Sequence, residues 1–211
     1  MVGWTPGPGD RGQTSIGTQS EVWKDAVLLE VLGTLDELNA HLGLARSLGV
    51  PEPIDGLLRR IQGELFQIGA ELAAGPAEPK SHSPSPQPEP AETEPLRQSG
   101  AKPVRLSRRQ VEALAAEMAQ WEAGLPKIRM FIIPAGQPAA CQLHVARAVC
   151  RRAERRLTSL VRQCAPGTVS PLVQAYLNRL GDLLFILARS VNHQTGRQET
   201  LWENPPPPEQ G

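Results

Sequence analysis

The sequence predicts an all-α protein, built as a bundle of five helices with ferritin-like, up-and-down packing. Apolar residues recur at helical spacing through five long stretches, and no stretch shows the strict alternation typical of a half-buried strand. Only 4% of the residues are aromatic, a class enriched in strands. Proline and glycine separate the periodic stretches, which favours a helical bundle over a single long coiled coil.

The first two helices are predicted at residues 25–48 and 53–74. Pro51 ends the first helix, and Gly75-Pro76 is a stop signal for the second. The apolar stripe of the first helix consists of Val27, Leu28, Val31, Leu35, Leu38 and Leu42.

Three further helices are predicted at residues 108–123, 137–163 and 169–194. Ser107 is suited to be the N-cap of the first of these, because its hydroxyl can accept from a free backbone N–H group. The short apolar run Phe131-Ile132-Ile133-Pro134 predicts an extended link rather than a helix.

One helical domain is expected at residues 24–195, with a different kind of segment at each end and one insert. Residues 1–23 are rich in Gly, Pro, Ser and Thr and are predicted to form an irregular, phosphate-binding loop region. In residues 76–103, prolines alternate with polar residues that cannot offset their ordering entropy, so a disordered insert is predicted. A flexible tail is predicted at residues 196–211.

The composition argues against several classes of partner. The 22 basic and 22 acidic residues give zero net charge, so no nucleic-acid partner is expected. No membrane partner is expected either, because no apolar run approaches the ~18–20 residues of a membrane span. The N-terminal residues lack the features of a secretory signal or a presequence, which favours a cytoplasmic location. The mitochondrial matrix is the alternative if a presequence has been removed.

Residues 147–156 concentrate the positive charge of the chain, with five arginines and one glutamate. In a helix, Arg147, Arg151 and Glu154 share one face. A guanidinium group can hydrogen-bond to two phosphate oxygens at once, so a triphosphate is a natural ligand for this face. The alternative interpretation is a solvated, salt-bridged surface. The predicted buried stripe beside this face consists of Ala148, Val149, Ala153, Leu157 and Leu160.

Polar groups on two other helices are candidates to complete a site. The last helix carries Asn178, Asp182, Phe185 and Arg189 in one stripe, which either binds a polar ligand or is simply exposed. Asp36 of the first helix is placed to pair with an arginine of the fourth.

The N-terminal residues 7–14 form a glycine-rich loop whose backbone N–H groups are able to cradle phosphates. The loop lacks the Gly-Lys-Ser/Thr ending of a Walker A motif. Taken alone, it is weak evidence, and a disordered terminus is the default interpretation.

In combination, these motifs resemble the PduO-type ATP:cob(I)alamin adenosyltransferases. The matching stretches follow the family order and spacing, and the resemblance extends over nearly all of residues 5–195 except the proline-rich insert. The arginine-rich stretch is the most specific of them. The five matching stretches are Gly9-Asp10-Arg11-Gly12, Gly33-Thr34-Leu35-Asp36-Glu37-Leu38-Asn39 with Gly43, Phe131-Ile132-Ile133-Pro134-Ala135-Gly136, Arg147-Ala148-Val149-Cys150-Arg151-Arg152-Ala153-Glu154-Arg155 and Asn178-Arg179-Leu180-Gly181-Asp182.

The resemblance implies a homotrimer of five-helix bundles with active sites between adjacent subunits. It also implies that the Co(I) centre of a corrinoid attacks the 5′ carbon of ATP, so that adenosylcobalamin forms and triphosphate leaves. Mg²⁺ would be bound through the phosphates of ATP, without a dedicated set of protein ligands. The implied ATP-binding residues are Gly9, Asp10, Gly12, Lys24, Arg151, Glu154, Arg155 and Asn178.

Arg151, Glu154 and Arg155 are the residues that the resemblance assigns to catalysis. The arginines would neutralise the leaving triphosphate, and Glu154 would hold the nucleoside. Co(I) is already a strong nucleophile, so no general base is required. The task of the protein is then to align the two reactants. The implied corrinoid-binding residues are Phe131, Asp36, Arg147 and Asp182.

Among the corrinoid-binding residues, Phe131 is expected to press on the lower face of the corrin. Displacement of the lower axial ligand would make Co(II) easier to reduce. Arg147 is expected to pair with Asp36. The resemblance also allows for an electron donor that reduces cob(II)alamin and for an enzyme that accepts adenosylcobalamin.

The phosphate loop departs from the family pattern. Pro6-Gly7-Pro8 stands where the family commonly has Thr-Lys/Arg-Thr, and Glu21 stands in place of an arginine. Gly181 also replaces a common serine. The lost charge leaves a second hypothesis open, a non-catalytic carrier or sensor that binds a corrinoid or a nucleotide on the same fold.

Overall fold

The computed structural model describes residues 7–17, 19–75 and 104–203, and within these ranges it contains five α-helices and four short strands. Each helix begins and ends within about two residues of its predicted range, so the predicted all-α, five-helix fold is confirmed. The helices are α1 (Val27–Ser47), α2 (Glu52–Ala73), α3 (Arg108–Ala123), α4 (Pro138–Gln163) and α5 (Pro171–Gln194).

Parts of the predicted flanking segments lie outside the described residues. The proline-rich insert at 76–103 is wholly outside them. Residues 1–6 of the N-terminal region and residues 204–211 of the tail are outside them as well.

α4 lies at the centre of the bundle, between α1 and α5. α2 packs on the outer side of α1, and α3 packs on α5. The side of α4 that faces its neighbours includes Leu143, Ala146, Cys150 and Leu157, all fully buried. Small residues on this face allow close helix packing. The prediction that Ala148 belongs to the buried stripe is wrong, because it lies off that face and is exposed.

A buried polar cluster connects α2 to the other side of the bundle. The Tyr176 hydroxyl of α5 donates to Glu64 Oε2 of α2 at 2.5 Å. Arg60 bridges Glu64 and Glu117 of α3, with both N···O distances at 3.2 Å. Because buried polar groups must be paired to be tolerated, this cluster fixes how α2, α3 and α5 meet.

The N-terminal loop region is more ordered than its composition predicts. A 3-10 turn at Pro8–Arg11 leads into an antiparallel hairpin of β1 (Gln13–Ile16) and β2 (Gln19–Trp23). β1 was not predicted because its residues are exposed or half-buried, so no alternation of apolar side chains marks it.

A second strand pair joins the α3–α4 link to the C-terminal segment. β3 (Ile132–Ile133) pairs antiparallel with β4 (Thr200–Leu201), and the Trp202 N–H donates to the Phe131 carbonyl at 2.8 Å. Here the structure differs from the predicted tail at 196–211. A two-residue strand carries too little pattern for recognition from sequence.

Candidate functional site

The arginines of residues 147–156 point to two different sides of α4. Arg152 and Arg156 face α1, where they form salt bridges with Glu37 and Glu30. The salt-bridged interpretation of this stretch therefore holds for these two arginines, whose charge is balanced within the bundle.

The other three arginines, Arg147, Arg151 and Arg155, form no salt bridge with any residue in the described ranges. Arg151 and Arg155 are exposed, and Arg155 Nη1 donates to the Arg151 carbonyl at 3.2 Å. Cations that no carboxylate balances create a positive potential along this side of α4. That potential suits a polyanion.

Glu154 and Asn178 lie next to these arginines and connect α4 to α5. Asn178 Nδ2 donates to Glu154 Oε1 at 3.2 Å. Gly181, on the same helix as Asn178, is buried, and a Cβ added there would lie 3.7 Å from Arg151 Cγ. The stem of Arg151 therefore packs next to Gly181 on α5, with room for an ordinary side-chain contact.

A cavity of about 730 Å³ opens farther along the same two helices. It is lined by Ile128, Arg129, Met130, Phe131, Ile132, Arg147, Phe185 and Trp202. The Arg147 guanidinium carbon lies 5.3 Å from the centroid of the Phe185 ring, in cation–π geometry. Arg147 Nε is buried and has no hydrogen-bond partner among the described residues.

Phe131 and Trp202 form an aromatic wall of this cavity. The two rings meet edge to face, with centroids 6.3 Å apart. Phe131 is 79% exposed, and an aromatic side chain left so open at the mouth of a cavity is suited to an apolar ligand surface. The cavity therefore offers an exposed apolar surface to a ligand.

His144 lies behind the cavity, where its ring meets the Phe185 ring edge to face at 5.9 Å. Burial lowers the pKa of His144, and the nearby Arg147 lowers this pKa further, while Glu199 opposes the shift. The neutral imidazole is therefore the form that the folded protein favours.

The lowered pKa of His144 predicts a loss of stability in acid. As the pH falls, His144 takes up a proton in the unfolded chain before it does so in the folded protein. The stability that its neutral form provides is therefore complete above its ordinary pKa of 6.5 and is lost as the pH falls through the folded-state pKa. We expect His144→Gln to reduce the fall in melting temperature between about pH 7 and pH 5. The matched control is His193→Gln at the exposed end of α5. An unaltered pH profile for His144→Gln would contradict the prediction.

Two hydrogen bonds stabilise the conformation of the phosphate loop at residues 7–14. The Gly7 N–H donates to Asp10 Oδ2 at 2.6 Å, and Lys24 Nζ donates to the Gly9 carbonyl at 2.7 Å. Gly12 ends the turn at φ +82°, a conformation that favours glycine. Asp10 and Lys24 thus shape the loop that the sequence predicts to bind phosphates.

The predicted site residues do not all come together within one chain. The loop contributes to a cavity of about 500 Å³, whose lining residues all belong to the N-terminal region at residues 7–21. Asp36 and Asp182 are exposed on α1 and α5. The expected pairing of Arg147 with Asp36 is not formed within the chain, because Arg147 lies over Phe185 instead.

Trp202 is one of the cavity residues that the sequence analysis does not identify, together with Ile128, Arg129 and Met130. It was assigned to the flexible tail because four prolines follow at 205–208. The signal available was the apolar pair Leu201-Trp202 within an otherwise polar segment. Large apolar residues in a polar tail often mark a contact with the body of the protein.

In the part of the chain that the structure describes, no group of three or more His, Cys, Asp or Glu side chains is arranged to hold a metal ion. None of the described helices is long and apolar enough to cross a membrane. Cys150 is fully buried, and burial raises the pKa of its thiol to about 12. This thiol is thus neutral and unreactive at physiological pH.

Comparison with known proteins gives the class to which this fold and site belong. The model of the family described as cobalamin adenosyltransferase matches residues 5–191. A cobalamin adenosyltransferase of Cupriavidus metallidurans is 36% identical over 196 residues, which cover 92% of this chain and 91% of that protein. A corrinoid adenosyltransferase of Mycobacterium tuberculosis is 37% identical over 185 residues, or 87% of this chain and 86% of the relative.

A solved structure agrees with these relatives. It is a phenylalanine-to-histidine variant of a PduO-type ATP:corrinoid adenosyltransferase from Lactobacillus reuteri, complexed with cobalamin and ATP. The TM-score is 0.77 at 28% identity, and the match covers 93% of this chain and 95% of that one. The chain therefore belongs to the cobalamin adenosyltransferase family, and the membership predicted from its motifs is confirmed.

Proposed function

We propose that this protein transfers the 5′-deoxyadenosyl group of ATP to the Co(I) centre of a corrinoid. The observation that carries the proposal is the position of two features along α4 and α5. Unbalanced guanidinium groups of Arg151 and Arg155 lie on one stretch, and the aromatic cavity beside Arg147 opens on another. The Lactobacillus reuteri relative is complexed with ligands of both kinds, cobalamin and ATP.

The arginines act on the charge that develops during the transfer. Co(I) supplies the electron pair for the new bond to C5′ of the ribose, and the bond from C5′ to oxygen breaks. The oxygen keeps that electron pair, so the negative charge gathers on the departing triphosphate. Arg151 and Arg155 stabilise this charge through paired hydrogen bonds to phosphate oxygens. No proton is transferred, which agrees with a site that needs no general base.

Further groups hold the nucleotide in place. Glu154 and Asn178, already hydrogen-bonded to each other, offer an acceptor and donors to the nucleoside. Gly9, Asp10, Gly12 and Lys24 belong to the loop proposed to bind phosphate. Mg²⁺, when bound with ATP through its phosphate oxygens, would supply further charge neutralisation.

The corrin ring is proposed to occupy the cavity between Arg147 and the Phe131–Trp202 wall. Phe131 would cover the lower face of the ring and keep an axial ligand from cobalt, which favours reduction of Co(II). Asp182, one turn before Phe185 on α5, is proposed to contact the amide groups at the rim. A one-electron donor must supply Co(I), and an enzyme that uses adenosylcobalamin would accept the product.

The proposal includes a homotrimer whose sites form between subunits. The cavity beside the phosphate loop is lined by no residue of α4. A site that uses both the loop and the arginines of α4 would therefore draw them from neighbouring chains. Asp36, exposed and without a salt bridge in the described ranges, is available to pair with Arg147 of an adjacent copy. We also propose a cytoplasmic location, in line with the bacterial relatives.

Complementation between inactive variants tests the shared site. Lys24→Ala and Arg151→Ala are each expected to be weakly active alone. When the two are unfolded together and refolded as mixed trimers, some interfaces regain both native residues, so activity should return. The measurement is adenosylcobalamin formation from ATP, Mg²⁺ and chemically reduced cobalamin. Mixed trimers that stay as inactive as their parents would contradict a shared site.

The same assay on the unmodified protein tests the proposed activity. The spectrum of the cobalamin should change to that of adenosylcobalamin. The carrier or sensor hypothesis is not favoured, because relatives that match along nearly the whole chain are named as transferases. A folded protein that binds cobalamin but forms no product would reverse that preference.

A further inference from the structure

Arg189 is unusual because it is a charged side chain inside the bundle. It lies on α5 one turn after Phe185 and is 3% exposed. Among the described residues it is the one buried basic side chain. Arginine is rarely buried unless its charge is paired, so its partners indicate why it is there.

The guanidinium group of Arg189 holds two separate segments of the chain. Nε donates to Glu199 Oε1 at 2.6 Å and Nη2 to Glu199 Oε2 at 3.2 Å, which is a bidentate pair. Nη2 also donates to the Pro126 carbonyl at 2.7 Å. Pro126 lies in the link that leads to β3, and Glu199 directly precedes β4. One side chain thus anchors both segments to α5.

The two anchored segments carry the aromatic wall of the cavity. Phe131 directly precedes β3, and Trp202 directly follows β4. Their backbones are joined by the hydrogen bond from the Trp202 N–H to the Phe131 carbonyl. The position of both rings therefore depends on where β3 and β4 are held.

The strand pair cannot hold itself in place. Each strand is two residues long, and isolated hairpins much longer than this are marginal in water. Ile133 and Leu201 are 42% and 46% exposed, so apolar burial stabilises the pair only in part. A buried, bidentate ion pair with a backbone carbonyl as a third partner is the stronger attachment.

We propose that Arg189 is a positioning residue, which uses its ion pair with Glu199 to hold Phe131 and Trp202 as a rigid wall against the corrin. This inference rests on the proposed function, because it takes the corrinoid as the ligand of the cavity. Arg189 itself contacts neither cobalt nor the nucleotide in this arrangement. Its effect reaches the ligand through the two strands.

Glu199→Gln tests the ion pair with minimal change of shape. Glu203→Gln is the matched control, because Glu203 is an exposed carboxylate on the same segment. Two measurements are made on the full-length protein. The first is hydrogen exchange of the peptide that contains Trp202, without ligand. The second is the affinity for cob(II)alamin by absorbance titration, which does not require turnover.

We expect Glu199→Gln to speed exchange of the Trp202 amide and to weaken cob(II)alamin binding by roughly tenfold, with ATP affinity unchanged. Arg189→Lys keeps the positive charge but loses the bidentate contact with Glu199. It should therefore also speed exchange of the Trp202 amide and weaken cob(II)alamin binding. Glu203→Gln should change neither. Unchanged exchange in Glu199→Gln overturns the proposal. Faster exchange with unchanged cobalamin affinity also overturns it, since the pair would then order the segment without serving the cavity.

Phe131→Ala separates failure of this inference from failure of the proposed function. If the corrin occupies the cavity, Phe131→Ala weakens cob(II)alamin binding or alters its spectrum, whatever the result for Glu199. If Phe131→Ala has no effect, the corrin is misplaced and the proposed function of the cavity fails. Phe66→Ala, at an exposed phenylalanine of α2, is the control for loss of an aromatic ring.

Discussion

Replacing Arg151 with alanine is expected to lower kcat for adenosylcobalamin formation by roughly 10²–10³-fold, as removal of a preorganised charge-stabilising donor commonly does. Arg151 has no carboxylate partner among the described residues, so its charge is free to act on the leaving triphosphate. Its Cγ lies close to Gly181 of α5, and the side chain as a whole is exposed. The loss should appear mainly in kcat, because the charge on the triphosphate grows as the bond to C5′ breaks.

A control from the same helix makes this result specific. Arg162→Ala removes another exposed arginine, near the end of α4, and should leave kcat unchanged. Arg151→Lys should recover only part of the activity, because an ammonium group cannot contact two phosphate oxygens as a planar fork does. Wild-type turnover in Arg151→Ala would place the triphosphate elsewhere.

The helices could be predicted from the sequence because each has a long stripe of apolar residues at the 3.6-residue spacing of an α-helix. In α1, every residue of this stripe from Val31 to Leu42 is buried. Pro51 and Gly75 gave the ends of the first two helices to within a few residues. Long helices are the elements for which local pattern and tertiary packing agree.

Local pattern could not predict which arginines of α4 remain unbalanced. Arg151 and Arg152 are neighbours in sequence and have the same chemistry. They differ because Arg152 meets Glu37 of α1, whereas Arg151 lies over Gly181 of α5. That difference depends on how α4 is rotated between its two neighbours. Rotation is set by the packing of the whole bundle, which no single stretch of sequence encodes.

The cavity wall was only half predictable for a similar reason. Phe131 was assigned through the family motif that contains it. Its partner Trp202 is distant in the chain, and the contact depends on a two-residue strand pair and on the buried Arg189. Arg189 was placed in the polar stripe of the last helix, yet it is buried rather than exposed. Non-local pairing of this kind leaves almost no periodic signal.

The turn that connects β3 to α4 gives the prediction with the largest expected effect on stability. Gly136 has φ +108°, and a Cβ added there would lie 2.2 Å from Asn192 Oδ1. Asn192 of α5 holds this turn, since its amide donates to the Ala135 carbonyl and accepts from the Gln137 N–H, both at 2.9 Å. Alanine at Gly136 would therefore strain the backbone and also displace the side chain that satisfies two backbone groups.

We expect Gly136→Ala to lower the free energy of unfolding by roughly 2–4 kcal/mol, the sum of positive-φ strain and of the loss of two half-buried hydrogen bonds. Gly167→Ala is the matched control, because Gly167 has φ +84° but no atom within 4 Å of the added Cβ. It should cost only the strain, about 1–2 kcal/mol. Urea unfolding at equal protein concentrations measures both values. Equal losses in the two variants would mean that Asn192 moves aside freely and that the turn does not depend on its hydrogen bonds.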